Sequence, residues 1–259
     1  MKKILSVALI SLVSATTQSQ TRGQLPTTVS GSYLTPEFKT GQRLGTIFSR
    51  TIAMSGEECS PLVFRISGTA DYTVTNPDAA SPVFSAIFQY DGRPADTSTI
   101  AFRDGGSTLV YNNKPAPNND ASGLAYNPLL WGVPPAKLTK GSSWEVDIAH
   151  PWELGGAGHQ RIEVIDADPI THLIRLKREG DGEGFFADEP PVMDVVRDGK
   201  RVRVKVSPGK HHWVGYTTFK NGIVISDELM VVRPLTLETD SLKFAATQRQ
   251  YILLNQMPL

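Results

Sequence analysis

The chain has 259 residues, carries 26 Lys or Arg against 26 Asp or Glu, and contains a single cysteine, Cys59. The even balance of charge argues against nucleic acid as a partner, because phosphates are recognised by an excess of basic side chains. One cysteine cannot form a disulfide within the chain. The fold must therefore depend on its hydrophobic core rather than on a disulfide framework.

The first twenty residues have the order of a secretory signal peptide. Lys2 and Lys3 precede an apolar run over residues 4–13, and small and polar residues follow it. This order predicts an exported, soluble protein, cleaved near residue 15 or residue 20 and located in the bacterial periplasm or outside the cell. The apolar run is about half the roughly 20 residues that a membrane-spanning helix needs. No transmembrane anchor is therefore expected after cleavage.

Residues 21–42 are polar and rich in Ser, Thr and Gly, which predicts a loosely tethered N-terminal arm. Strands are expected after it, since apolar and β-branched residues recur in short runs between turn signals. The turn Asp104-Gly105-Gly106 predicts a hairpin, because glycine readily adopts the positive φ that tight turns require. The strands predicted in this half of the chain are 45–54, 62–74, 83–90, 99–103 and 107–111.

The segment 112–140 interrupts the strand pattern. It carries five prolines together with Tyr126, Leu130 and Trp131. A connection of this length inside a compact domain is usually functional or disordered, and its aromatic content disfavours disorder. We predict that this Pro/aromatic loop covers a concave face of the sheet, although a domain boundary is the alternative.

The C-terminal half alternates between polar and apolar residues. In residues 201–206 basic side chains alternate strictly with valine, as in a half-buried antiparallel strand. Asp198-Gly199 and Asn221-Gly222 predict type I′ hairpin turns, and a further hairpin is expected through residues 167–170. A short helix is expected over 237–247. The strands predicted here are 143–148, 161–164, 174–177, 193–197, 200–206, 213–219, 223–232 and 247–254.

These elements predict an all-β fold with a mainly antiparallel sheet and few or no long helices. The sheet is expected to form either a sandwich or a curved open barrel. Both halves of the chain have the same kind of strand pattern, so residues 21–259 are predicted to form a single domain.

Histidine and glutamate around a glycine-rich turn form the strongest candidate metal site. His150, Glu153 and His159 lie close along the chain, and His211 could add a fourth ligand for a zinc-like divalent ion. The spacing matches no standard zinc motif, and Pro151 excludes the helix that would place two ligands on one face. The alternative is a solvated turn between strands. No other cofactor is predicted.

Other chemistry-bearing residues give weaker signals. Cys59 follows Glu57 and Glu58, whose charges raise the pKa of a thiol, so a structural cysteine is favoured over a nucleophile. The acidic, glycine-rich run 179–184 lacks the ordered spacing of a calcium loop. Nucleophile elbows, zinc-protease motifs and phosphate loops are absent from the sequence. No catalytic residue is therefore predicted.

Large side chains near predicted loops and strand ends are the candidate ligand contacts. Tryptophan is common at such sites because it joins a large apolar surface to one polar N–H group. Ordinary core packing is the alternative for each of them. The set comprises Tyr126, Leu130, Trp131, Trp152 and Trp213.

Three functions are compatible with these patterns. The first is non-catalytic binding of a small amphipathic or lipid-like ligand, or another role in maintaining the cell envelope. The second is a metal-assisted hydrolase acting on envelope polymers. The third is a structural or assembly protein that pairs with an envelope component through its sheet edges. The oligomeric state is not predicted.

Overall fold

The computed structural model describes residues 28–78, 81–103, 108–116, 123–149, 156–184 and 191–257. Within these ranges the chain forms sixteen strands, one 3₁₀ helix at Gly31–Leu34 and one single-turn helix, α1, at Pro128–Trp131. The strands are β1 Val29–Ser30, β2 Arg43–Gly56, β3 Cys59–Asn76, β4 Val83–Tyr90, β5 Asp96–Arg103, β6 Thr108–Tyr111, β7 Lys114–Ala116, β8 Lys137–Leu138, β9 Ser143–Ile148, β10 Gly158–Asp168, β11 Leu173–Gly182, β12 Val192–Arg197, β13 Lys200–Pro208, β14 His211–Lys220, β15 Ile223–Glu238 and β16 Lys243–Met257.

Fourteen of the strands in the described ranges form one antiparallel sheet. Its main path runs β7-β6-β5-β4-β3-β2-β16-β15-β14-β11-β10-β9. The β12–β13 hairpin pairs, through β13, with the C-terminal end of β15. β1 and β8 form a separate two-stranded ribbon. The predicted all-β, mainly antiparallel fold with few helices is confirmed. The strands form one large sheet, as in the curved open architecture and unlike the two sheets of a sandwich.

The sheet is curled so that distant strands share a core. Met54 and Cys59, near the β2–β3 turn, pack in one cluster with Val195 of β12 and Val204 of β13. In sheet order β2 is separated from the β12–β13 hairpin by β16 and β15, yet Arg197 at the end of β12 forms an ion pair with Glu58 in the β2–β3 turn, so the sheet must curl to bring them together. We call the enclosed side the inner face.

The inner face is apolar because burial alternates with period two along the strands. In β14 every second residue is buried, from His211 through Trp213 to Phe219, and β15 continues the same alternation. Residues directly opposite each other on neighbouring strands point to the same face of the sheet. The buried residues of one strand therefore lie beside the buried residues of the next. Burial of this continuous apolar surface is the main stabilising contribution to the fold.

The glycine-containing turns have the predicted backbone conformation. Asp198 and Gly199 have φ of 49° and 72°, and Asn221 and Gly222 have φ of 49° and 70°, as type I′ turns require. The hairpin predicted through 167–170 turns two residues later, because Asp168 ends β10 and its carboxylate accepts hydrogen bonds from the Ile170 amide at 2.8 Å and the Thr171 hydroxyl at 2.6 Å. Residues 104–107 lie outside the described ranges, although the strands on either side pair with each other.

The prediction of a short helix over 237–247 is wrong. β15 continues to Glu238 and β16 begins at Lys243, with a tight turn between them closed by a hydrogen bond from the Thr239 amide to the Leu242 carbonyl at 2.8 Å. Leu237 and Phe244 lie opposite each other and are both buried. Tertiary packing therefore imposes period two on a segment whose local sequence favours helix.

The part of the polar arm that is described, from residue 28 to residue 42, is packed rather than loosely tethered. Val29 and Leu34 are buried in the core, and β1 pairs with β8 inside the segment predicted as the Pro/aromatic loop. That segment also contains β7 and α1, so it has more regular structure than its composition suggests.

Candidate functional site

One half of the inner face is filled by the chain itself. Residues 124–138, which we call the internal plug, lie against β9, β10, β11, β14 and β15, with Leu130 and Trp131 fully buried. The prediction that this segment covers a concave face agrees with its position. Its aromatic side chains, however, contact protein on all sides.

Hydrogen bonds hold the carbonyl end of α1 in place. The Tyr126 hydroxyl donates to the carbonyls of Trp131 at 3.1 Å and Gly132 at 3.0 Å, and Trp144 Nε1 donates to the Trp131 carbonyl at 2.6 Å. The Gln160 side-chain amide donates to the Leu130 carbonyl. These bonds satisfy carbonyl groups that a single helical turn leaves without partners. The plug is therefore a fixed part of the core.

A buried ion pair lies beneath the plug. Arg178 Nη2 donates to both carboxylate oxygens of Asp227, at 3.0 and 2.9 Å, and the Thr217 hydroxyl also donates to that carboxylate. The Arg178 guanidinium lies over the Trp131 ring, 4.9 Å from its centroid. Hydrogen bonding and a cation–π contact thus offset the cost of burying both charges.

The ligand contacts predicted from sequence lie mostly in this core. Tyr126, Leu130, Trp131 and Trp213 all belong to one buried cluster, and Trp213 Nε1 donates to the Gln160 side chain at 2.9 Å. Trp152 lies outside the described residues. For these four residues the described positions correspond to ordinary core packing.

The two predicted metal ligands that the structure describes, His159 and His211, lie apart. His159 lies on the outer face, where its Nδ1 is 2.7 Å from Asp147, and this hydrogen bond raises the pKa of the imidazole. His211 lies on the inner face, because it pairs with Gly182 whereas His159 pairs with the neighbouring Asp181. Side chains on opposite faces of a sheet cannot share one ion. His150 and Glu153 lie outside the described residues, and no group of three metal-ligating side chains occurs within the described ranges.

His211 has an unusual environment for a histidine. It is 1% exposed, and its ring centroid lies 5.2 Å from that of Trp213. Burial, and secondarily the charge of Arg233, lower its pKa to about 4. The neutral imidazole is therefore the folded form at neutral pH.

Cys59 is a structural residue, as its sequence context favours. It is buried among the side chains between the β2–β3 turn and the β12–β13 hairpin. Burial raises the pKa of its thiol, and the neighbouring Glu58 adds to the effect. A thiol in this environment is a poor nucleophile.

The other half of the inner face holds a cavity of about 390 Å³, which we call the aromatic pocket. It lies over β2–β6 and reaches β15 and β16. Most of its lining is apolar, and Arg50 and Asp227 are the charged residues of its wall. The large apolar side chains lining it are Phe48, Ile66, Tyr72, Phe88, Tyr90, Ile100, Phe102, Leu109, Tyr111, Leu124, Ile252, Leu253 and Leu254.

Aromatic rings form a continuous wall of this pocket. Phe88 is the centre of the wall, with its ring centroid 5.8 Å from Tyr72, 6.3 Å from Tyr90 and 5.8 Å from Tyr111. Phe48 contacts Tyr90 edge to face at 5.5 Å. Rings packed in this way restrain one another and keep the wall in shape. Burial raises the pKa of Tyr72 and of Tyr111, so both phenols stay neutral.

The pocket is closed on one side by the plug and is bordered by exposed apolar side chains on another. Leu124, the first residue of the plug, is anchored by a hydrogen bond from the Val224 amide to its carbonyl at 2.9 Å. Phe64 and Ile66 of β3 share the inner face with Phe48 and are 51% and 47% exposed. An apolar surface therefore continues from the pocket to solvent.

The aromatic pocket is not predicted from the sequence. The available signal is the alternation of aromatic residues in β4, where Phe84, Phe88 and Tyr90 share one face. That pattern is equally typical of a packed strand, and Phe84 is indeed fully buried. Only the curvature of the sheet separates the rings that line a cavity from those that fill the core.

The two helices of the described ranges are single turns, and neither approaches the length of a membrane-crossing helix. Comparison of the chain with protein-family models finds no match, and comparison with curated proteins finds no similar sequence.

Proposed function

We propose that this protein is exported and binds an amphipathic or lipid-like ligand, without catalysis, in the aromatic pocket. The observation that carries the proposal is the cavity of about 390 Å³ on the inner face, lined by aromatic and aliphatic side chains. Binding sites for small molecules are concave, mostly apolar, and typically about 300–1,000 Å³ in volume.

The way the pocket is built supports this proposal. Its walls belong to strands β2–β6 and β16, whose backbones are held by the ladder of the sheet. A site on rigid strands loses little entropy when a ligand binds. The few polar groups, including Arg50 and Asp227, would orient the polar end of an amphipathic molecule.

Hydrocarbon chain length gives the proposal a quantitative test. Each buried CH₂ group contributes about 0.8 kcal/mol, so each added carbon should tighten binding about four-fold until the chain outgrows the pocket. A ligand bound only by a surface patch would show a weaker dependence.

Fluorescence titration with the uncharged probe N-phenylnaphthylamine, followed by its displacement with straight-chain alcohols of increasing length, measures this directly. Ile66→Glu places a charge in the pocket wall at a residue that is 47% exposed, so it should weaken probe binding at least about five-fold with little effect on folding. Val63→Glu is the matched control, because Val63 lies on the opposite face of the same strand and is 67% exposed.

Equal affinity of both variants and the wild type would refute the proposed pocket. Native mass spectrometry of protein purified from its export compartment provides an independent check. An added mass of lipid size, released by organic solvent, is expected. The absence of probe binding, of displacement by alcohols and of any added mass would refute ligand binding itself.

A further inference from the structure

One half of β3 extends beyond the strand beside it. β3 spans Cys59–Asn76, whereas β4 pairs with it only from Gly68 to Asn76. Over residues 61–66, β3 pairs with β2 on one side, and no strand of the described ranges pairs with it on the other. This half of β3 is therefore an edge strand, and the edge of a sheet is a common place for contact with partners.

Exposed apolar side chains of this edge point to both faces of the sheet. Val63 lies on the outer face and is 67% exposed, whereas Phe64 and Ile66 lie on the inner face and are 51% and 47% exposed. A half-buried antiparallel strand normally has apolar residues on its buried face and polar residues on the other. We call residues 61–66 the apolar edge. A contiguous exposed apolar surface of this kind marks an interaction site.

The apolar edge continues into the aromatic pocket. Ile66 lines the pocket and lies two residues from Phe64 on the same face of β3. A molecule that leaves the pocket beside Ile66 therefore meets Phe64 before it meets water. This continuity connects the surface outside the pocket with the apolar ligand proposed inside it.

The distribution of these side chains favours a lipid surface over a protein partner. A protein that packs on the sheet covers only one of its faces. A strand added at the edge is held by backbone hydrogen bonds, which give no reason for an apolar surface that runs on into a cavity. Lipid molecules are mobile and can surround both faces of a strand edge at once. Binding at a bilayer surface then grows with the apolar area that leaves water.

Charged residues near the apolar edge limit how it can contact lipid. The β2–β3 turn carries Glu57 and Glu58, and Glu58 forms an ion pair with Arg197 at 2.5 Å. These charges keep the tip of the turn in water. Arg65 is exposed on the outer face, and its long apolar stem lets its charge reach the phosphate groups of lipids. The geometry therefore favours contact along the side of the strand, at the level of the head groups.

We propose that the apolar edge docks on the surface of a lipid bilayer, and that the ligand passes between the bilayer and the aromatic pocket along Phe64 and Ile66. This inference rests on the proposed function, and it adds the source of the ligand and its route. Val63 on one face and Phe64 on the other both contact lipid in the docked state.

Flotation with phosphatidylcholine vesicles measures docking, and the wild type is expected to float with them. Val63→Glu and Phe64→Glu place a charge on opposite faces of the apolar edge, and each should lower the partition coefficient at least about ten-fold. Ile170→Glu is the matched control. Ile170 is also 67% exposed, but it lies in the β10–β11 turn, with β2, β16, β15 and β14 between that hairpin and β3. Thermal unfolding checks each variant, and Phe64→Ser replaces Phe64→Glu if the latter does not fold.

Val63→Glu also separates docking from ligand binding, because Val63 lies on the outer face, away from the pocket. This variant should bind N-phenylnaphthylamine in solution with wild-type affinity. It should take up the same probe from loaded vesicles at least about ten-fold more slowly than the wild type. Uptake at the wild-type rate would refute the route along the apolar edge.

The remaining outcomes distinguish the two proposals. If both edge variants float like the wild type, the lipid contact is wrong and the proposed function stands. If only one of them loses binding, the partner covers a single face and the lipid assignment is overturned. A wild type that does not float also overturns it, and a dimer in sedimentation that Val63→Glu dissociates would assign the edge to a second copy of the chain. If the wild type floats but binds no probe in solution, docking holds and the proposed function fails.

Discussion

His211 should make the fold sensitive to mild acid. Its pKa is about 4 in the folded protein against an ordinary value of 6.5, because it is buried and lies near Arg233. The unfolded state therefore binds more protons between these two values, and stability falls as the pH is lowered through this window. One pKa unit corresponds to about 1.36 kcal/mol, so the full effect is about 3 kcal/mol below pH 4.

The measurement is urea unfolding at pH 7.5 and pH 5. Linkage predicts that His211 lowers the free energy of unfolding by about 2 kcal/mol between these pH values. His211→Gln should remove that part of the pH dependence. His212→Gln is the control, because His212 lies on the outer face with its side chain 44% exposed and its Nδ1 3.0 Å from Asp181. Parallel pH profiles for the wild type and His211→Gln would refute the assignment.

Two further substitutions test the plug and the ion pair beneath it by urea unfolding. Trp131→Ala should lower the free energy of unfolding by about 3–5 kcal/mol because Trp131 is fully buried. Leu129→Ala, at a residue 42% exposed, should lower it by well under half of that. Similar losses of stability in the two variants would contradict the packed plug. Asp227→Asn should cost about 3–5 kcal/mol, since it leaves the buried Arg178 without its ion pair, whereas Glu179→Gln removes only an exposed pair and should cost about 1 kcal/mol or less. Equal effects of these two substitutions would show that the inner ion pair is solvated.

Strand prediction succeeds here because it depends on local chemistry. Alternating valine and basic residues in 201–206 need no partner to reveal one buried face, and β13 follows that pattern. Asp198-Gly199 and Asn221-Gly222 adopt positive φ because glycine has no Cβ and because Asp and Asn tolerate the left-handed region. The segment 237–247 fails for the opposite reason, since the pairing of Leu237 with Phe244 overrides its local helical preference.

The candidate site is harder to predict, because it depends on which residues the fold brings together. Nothing in the sequence around His159 and His211 distinguishes them as candidate ligands, yet strand register places them on opposite faces of the sheet. Trp131 and Phe88 are both aromatic residues of apolar segments. Trp131 belongs to the plug and is completely buried, whereas Phe88 lines a cavity that the plug does not fill.

By itself the sequence determines that the chain is built from antiparallel strands, where several of its hairpins turn, and that no disulfide can hold it together. Periodicity and turn chemistry suffice for this, because each is a property of a few consecutive residues. Tertiary structure alone decides that the sheet curls, that the plug fills one half of its inner face, and that the other half keeps a cavity beside Arg50. The curvature of the sheet and the packing of the plug both depend on many contacts between residues far apart in the chain. No pattern of consecutive residues can therefore predict them.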